Sequence, residues 1–171
     1  MIRQLTVGSV AMMAVAGLVV TPEANASSIT AGPCSSQARV DTSTIEDQTY
    51  VLCSTDPGRG EMSKQLWMTV DGAQVYKDLS TAPRKGITAG LATPSTGSVA
   101  IAASAADQCV VFLTVDAGAT WEETLTVDDA APASDLVFTD AQHGSVRCGW
   151  DTTAVTYRTS NGGHTWAVGI G

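Results

Sequence analysis

The chain is short of positive charge and of aromatic residues. Nine Lys and Arg stand against 17 Asp and Glu, for a formal net charge of −8, and aromatics make up 5% of the 171 residues. Nucleic acids and anionic membrane surfaces are held by clustered Lys and Arg, so this balance argues against both as partners. Beyond the N-terminal stretch, no apolar run approaches the length that crosses a bilayer, and none shows helical periodicity. C-x-x-C and H-E-x-x-H pairs are missing, as are a Gly-rich phosphate loop and a G-x-S-x-G elbow. Their absence removes the commonest zinc, redox, nucleotide and serine-hydrolase sites. The two histidines, His143 and His164, adjoin turn glycines and have no ligand pattern beside them, so no metal and no cofactor is expected.

What the N-terminus does contain reads as an export signal, spanning residues 1–26. Arg3 supplies the positive start, Leu5 to Val20 the apolar stretch, and Ala24-Asn25-Ala26 a cleavage site, so the mature chain is expected to begin at Ser27. That predicts a secreted, extracellular protein, free of the membrane after cleavage, with one domain's worth of chain. All four cysteines, Cys34, Cys53, Cys109 and Cys148, survive cleavage, and in an exported chain they read as two disulfides. Of the three connectivities, the preferred one pairs Cys34 with Cys53 and Cys109 with Cys148.

A repeat organises the remainder. Three segments align without gaps, Gln65 to Tyr76, Val110 to Trp121 and Val155 to Trp166, with Asp71, Asp116 and Asn161 in register 45 residues apart. Each column has a physical reason. Trp67, Phe112 and Tyr157 sit in strand-like runs that end at Thr69, Thr114 and Thr159. The following Asp or Asn accepts hydrogen bonds from nearby backbone N–H groups and so forms a turn. Gly118, and Gly162 with Gly163, permit the positive φ of a tight reversal. Thr120 and Thr165 precede Trp121 and Trp166, which begin the returning strand, with Tyr76 in that place in the first copy. Upstream, Leu91 to Ile101 and Leu136 to Cys148 each read strand, polar turn, strand, and Thr49 to Cys53 is taken as the matching inner strand of the first copy. The expectation is an all-β fold of three four-stranded repeats, at about 45–85, 86–130 and 131–171, preceded by an N-terminal segment 27–44.

The pattern S/T-x-D-x-G-x-T-W resembles the Asp-box (BNR) repeat of sialidase-like β-propellers, a family with glycosidases and non-catalytic members. Thr114 to Trp121 match every fixed position, Thr159 to Trp166 differ by Asn161, and the copy from Thr69 through Asp71 to Tyr76 is degraded. The resemblance implies a β-propeller-like fold in which the box is structural and lies on the outer hairpin of each blade. Three copies imply a partial propeller. It either closes by pairing two chains into a six-bladed homodimer or stands as an open stack whose edges the disulfides and the N-terminal segment protect.

Catalytic candidates are thin. A sialidase needs three arginines converging on a carboxylate, a Tyr nucleophile with its Glu, and an acid/base Asp. The family's aromatic-Arg-Ile-Pro motif is absent. Arg147, Tyr157 and Glu122 are the candidates such an enzyme would have to use. Asp128, Asp129, Asp135 and Asp140 cluster between the second and third copies but match no calcium loop, and are read as solvated loop acids. The preferred function is a secreted, non-catalytic binding or scaffold protein whose protein or glycan ligand meets loops such as Ser54 to Met62 and Ala102 to Gln108. A divergent or truncated sialidase-like glycoside hydrolase is the alternative.

Overall fold

The computed structural model describes residues 32–56, 61–71 and 75–169. The proposed export signal lies outside the described residues. Twelve strands follow one another in chain order: β1 (Arg39–Ile45), β2 (Gln48–Thr55), β3 (Ser63–Val70), β4 (Lys77–Ala82), β5 (Ile87–Ala92), β6 (Val99–Ala105), β7 (Gln108–Thr114), β8 (Glu122–Val127), β9 (Ala133–Phe138), β10 (Gly144–Cys148), β11 (Val155–Thr159) and β12 (Ala167–Val168). They form three antiparallel sheets, β1 to β4, β5 to β8 and β9 to β12, each a meander of sequential neighbours. No α-helix occurs among the described residues; a single 3₁₀ turn, Asp151–Thr153, separates β10 from β11. The molecule is an all-β, partial β-propeller whose three sheets do not close into a ring.

The repeat extends into the irregularities. β3 and β4 shift register between Leu66 and Trp67, and β7 and β8 do so between Val111 and Phe112, 45 residues on. A bulge at the same point of two sheets bends both outer hairpins alike.

Sheet stacking follows from side-chain alternation. In β6 and β7, Ala100, Ala102, Cys109, Val111 and Leu113 face the third sheet, where they meet Leu136, Val146 and Cys148. Ile101 turns the other way, towards Tyr50, Leu52 and Leu66 of the first sheet. The middle sheet is therefore buried on both faces, which accounts for its run of alanines: small side chains let sheets approach from either side. β5 lies between β1 and β9, so the first strand of each sheet is its innermost.

Two expectations need correcting. The first sheet begins at Arg39, inside the segment 27–44 that had been set apart from the repeats, and Thr49 to Cys53 belong to its second strand, β2. β1 carries no box and no aromatic, so only its pairing with β2 reveals it. Ala102 to Gln108 is not a loop either; Ala102 to Ala105 complete β6, and the reversal is Ala106 and Asp107 alone.

The disulfides are Cys34–Cys53 and Cys109–Cys148. The second ties β7 to β10 and so joins the middle and last sheets. Cys53 lies on the face of β2 opposite Leu52, so its bond holds the segment around Cys34 against the outer side of the first sheet.

Lys64 was not singled out by sequence, yet it is fully buried. Its ammonium donates to the carbonyls of Pro83 (2.8 Å), Lys85 (3.0 Å) and Gly86 (2.9 Å), pinning the link between the first two sheets. Burial lowers its pKa to about 8, so the side chain remains mainly charged at neutral pH.

Candidate functional site

Each sheet has two ends. One end gathers the turns between first and second strands together with the box turns between third and fourth. The other gathers the second-to-third turns and the links to the next sheet.

The box turns are hydrogen-bond cages. In the second copy, Thr114 Oγ1 donates to Asp116 Oδ1 (2.8 Å) and accepts from Gly118 N (2.8 Å). Asp116 in turn accepts from Thr120 N (2.8 Å) and from Thr120 Oγ1 (2.7 Å). The third copy repeats the arrangement: Thr159 Oγ1 donates to Asn161 Oδ1 (2.9 Å), Gly163 N donates to Thr159 Oγ1 (2.9 Å), Thr165 N donates to Asn161 Oδ1 (3.0 Å), and Asn161 Nδ2 donates to Thr165 Oγ1 (2.9 Å). Asn does the work of Asp here because its amide replaces the second acceptor with a donor, and the Thr165 hydroxyl can play either part. The hydrogen bonds from Thr120 and Thr114 hold the Asp116 carboxyl at a pKa of about 2. In the first copy, Asp71 itself takes the left-handed conformation (φ 54°) that Ala117 (φ 56°) and Gly162 (φ 73°) take elsewhere. Its N–H bonds Asp47 O, as those of Ala117 and Gly162 bond Gly97 O and Gln142 O. Asp tolerates that backbone where most residues do not. Thr69 is buried at the end of β3, and Tyr76 is half-buried just before β4. The side chains of Thr114, Asp116, Thr159 and Asn161 are engaged in forming their own turns.

At the same end the innermost strands converge on an open groove of about 320 Å³. β1 contributes Ser43, Thr44 and Ile45, β5 and its turn Leu91 to Pro94, and β9 and its turn Leu136 to Asp140. Its floor is apolar and its rim is rich in hydroxyls. Ser43 Oγ and Thr93 Oγ1 are hydrogen-bonded across it (2.8 Å), so two sheets share one wall. Asp140 is the acid on the rim. Its Oδ1 accepts from the backbone N–H groups of Gln142 and His143 (both 2.8 Å), and its carboxylate meets His143 Nδ1 at 2.9 Å. Those donors bring its pKa to about 2, a carboxylate committed to its own turn. No local motif marks this groove, since each strand end supplies a few ordinary residues.

The hydrolase candidates are not brought together. Arg147 donates to Asp151 O and lies on the opposite face of β10 from Val146, whereas Tyr157, paired with Val146, packs towards the interior. Glu122 is exposed at the start of β8, in another sheet. His164 is exposed on the third box turn. Among the described residues, no three His, Cys, Asp or Glu side chains are grouped to hold a metal. Of the loop acids, Asp128 accepts from Gln108 Nε2 (2.7 Å) and Asp140 caps its own turn. Of Ser54 to Met62, positions 57–60 lie outside the described residues.

No protein-family model and no curated protein matches the chain. Among solved structures, it resembles a puromycin-hydrolyzing peptidase of Mycobacterium tuberculosis at 14% identity and a TM-score of 0.51, over 82% of this chain and 24% of that one. The β-propeller domain of the Trilobed protease from Pyrococcus furiosus, described as having an open velcro topology, aligns at 8% identity and a TM-score of 0.48 over 76% and 41% of the two chains. A xyloglucanase from Xanthomonas campestris aligns at 16% and 0.47 over 74% and 19%. The chain thus spans less than half the length of each. At these identities the likeness concerns the fold alone.

Proposed function

We propose that this chain is a secreted, non-catalytic Asp-box module that binds a protein or glycan ligand in the groove at the ends of β1, β5 and β9. The observation that carries the reading is the groove's composition, an apolar floor ringed by hydroxyls with contributions from all three sheets, set against the dispersal of Arg147, Tyr157 and Glu122. Such a surface can bury a ligand's apolar face and bond its polar edge, the usual make-up of a recognition site. Two disulfides fit an oxidising, extracellular setting, and no helix among the described residues is long and apolar enough to cross a membrane.

Ser43 lines this groove, reaches across it to Thr93 and is only partly buried, so Ser43→Trp fills the site. Glycan and peptide arrays probed with the chain from Ser27 onward are expected to yield ligands that Ser43→Trp, shown to be folded by a thermal melt, no longer retains. Identical retention by the variant would refute the groove. The runner-up hydrolase is tested by incubation with a fluorogenic sialoside and a panel of other glycosides, with no turnover expected.

A further inference from the structure

The opposite end of the molecule presents a large aromatic to solvent. Trp150, just past β10, is 68% exposed in a protein with few aromatics. Its loop is firmly held. The preceding Cys148 is bonded to Cys109, Gly149 N donates to Pro132 O (2.9 Å), and Thr153 donates to Trp150 O through both N (3.0 Å) and Oγ1 (2.8 Å). Arg147 adds a hydrogen bond to Asp151 O. The backbone that carries the indole is thus held in place, and core packing does not account for so exposed a ring.

Trp150 forms one side of a groove of about 310 Å³, with Tyr157 and Val155 among its apolar lining and Asp128 and Asp129 on the link between the second and third sheets. Neither carboxylate is ion-paired among the described residues; the nearest polar contact is the amide of Gln108 on Asp128. Asp107 and Asp151 lie on turns at the same end. A hydrophobic ligand would leave the two carboxylates facing it uncompensated, and an anionic one would be repelled. An organic cation satisfies both features at once, because its charge is attracted to the aromatic face and to the carboxylates.

We infer that the groove between Trp150 and Asp128–Asp129 binds the cationic side chain, lysine or arginine, of a basic peptide segment. The aliphatic stem lies along Trp150 and Tyr157, and the charged head meets the carboxylates. This site is separate from the groove at the ends of β1, β5 and β9, and stands whether or not that groove binds a ligand.

The test is calorimetric titration of the chain from Ser27 onward with hexalysine, hexaglutamate and maltohexaose. Hexalysine is expected to bind, more weakly at about 0.5 M salt. Its affinity should fall about tenfold in Trp150→Ala and in the pair Asp128→Asn with Asp129→Asn. The pair Asp47→Asn with Asp78→Asn removes the same charge elsewhere, outside both grooves, and should leave binding intact. All of these positions are exposed, and thermal melts confirm folding of each variant. The inference is overturned if Trp150→Ala binds like the parent, if both charge pairs weaken binding equally, if maltohexaose is the ligand that depends on Trp150, or if hexalysine shows no binding at millimolar concentration.

Discussion

The outer hairpins of the second and third sheets repeat one small piece of chemistry, a Thr hydroxyl and an Asp or Asn side chain sharing the donors of a reversing chain. Asn161 shows that the negative charge is dispensable to the geometry. Asp116→Asn should therefore melt close to the parent at neutral pH, whereas Asp116→Ala, which leaves the N–H of Thr120 without its acceptor, should melt lower. Acid separates the forms further. With a folded-state pKa of about 2 against an ordinary 3.8, Asp116 contributes stability that is fully present above about pH 4 and is lost as pH falls towards 2. Melts from pH 6 to pH 2 should show the parent losing stability faster than Asp116→Asn; parallel curves would place that loss elsewhere, Asp140 and Glu123 being further carboxylates whose pKa the fold lowers. These turn residues were legible because the motif is local. Lys64 was not, since the carbonyls that neutralise its burial belong to Pro83, Lys85 and Gly86, some twenty residues away, and a single Lys in a strand ordinarily faces water.

Among elements, the outer hairpins lock each sheet to the one before it. Trp121 packs against the core shared by the first two sheets. Trp166 contacts Phe138 edge to face at 6.0 Å and donates from Nε1 to Thr124 Oγ1 (3.1 Å) on the middle sheet and to Gly163 O (3.0 Å). Because Trp121 is only partly buried, Trp121→Ala should cost about 3 kcal/mol, the lower end for a large aromatic. An unchanged denaturation midpoint would mean this ring does not hold the interface. The Cys109–Cys148 bond closes a 39-residue separation between middle and last sheets. Its removal by paired Ser substitution should cost about 4 kcal/mol on the chain-entropy account, read from urea unfolding. The strands with boxes, aromatics or Gly-Ser-Val turns were legible in the sequence. β1 was not, because Val40 and Ile45 are the only bulky apolar residues among polar neighbours, and the end of β6 was not, because a run of alanines signals neither strand nor loop until two flanking sheets demand small side chains.

At the scale of the whole molecule, the described residues form three sheets that do not close. The sequence leaves open whether two chains complete a ring. In the structure the segment around Cys34 is fixed against the outer side of the first sheet, where Val51 and Cys53 are already buried, and this occupies the face that a neighbouring blade would need. The outer face of the last sheet carries Arg147, Arg158 and the exposed Val137, a poor match for a core. β12 is only two residues long, which limits edge pairing. We therefore propose that the open stack is the working form, with the groove at the ends of β1, β5 and β9 entered from the side that a closed ring would seal. Multi-angle light scattering of the chain from Ser27 onward, with both disulfides formed and at high concentration, tests this most directly. The account predicts a particle of one-chain mass at every concentration; a stable two-chain particle would contradict it.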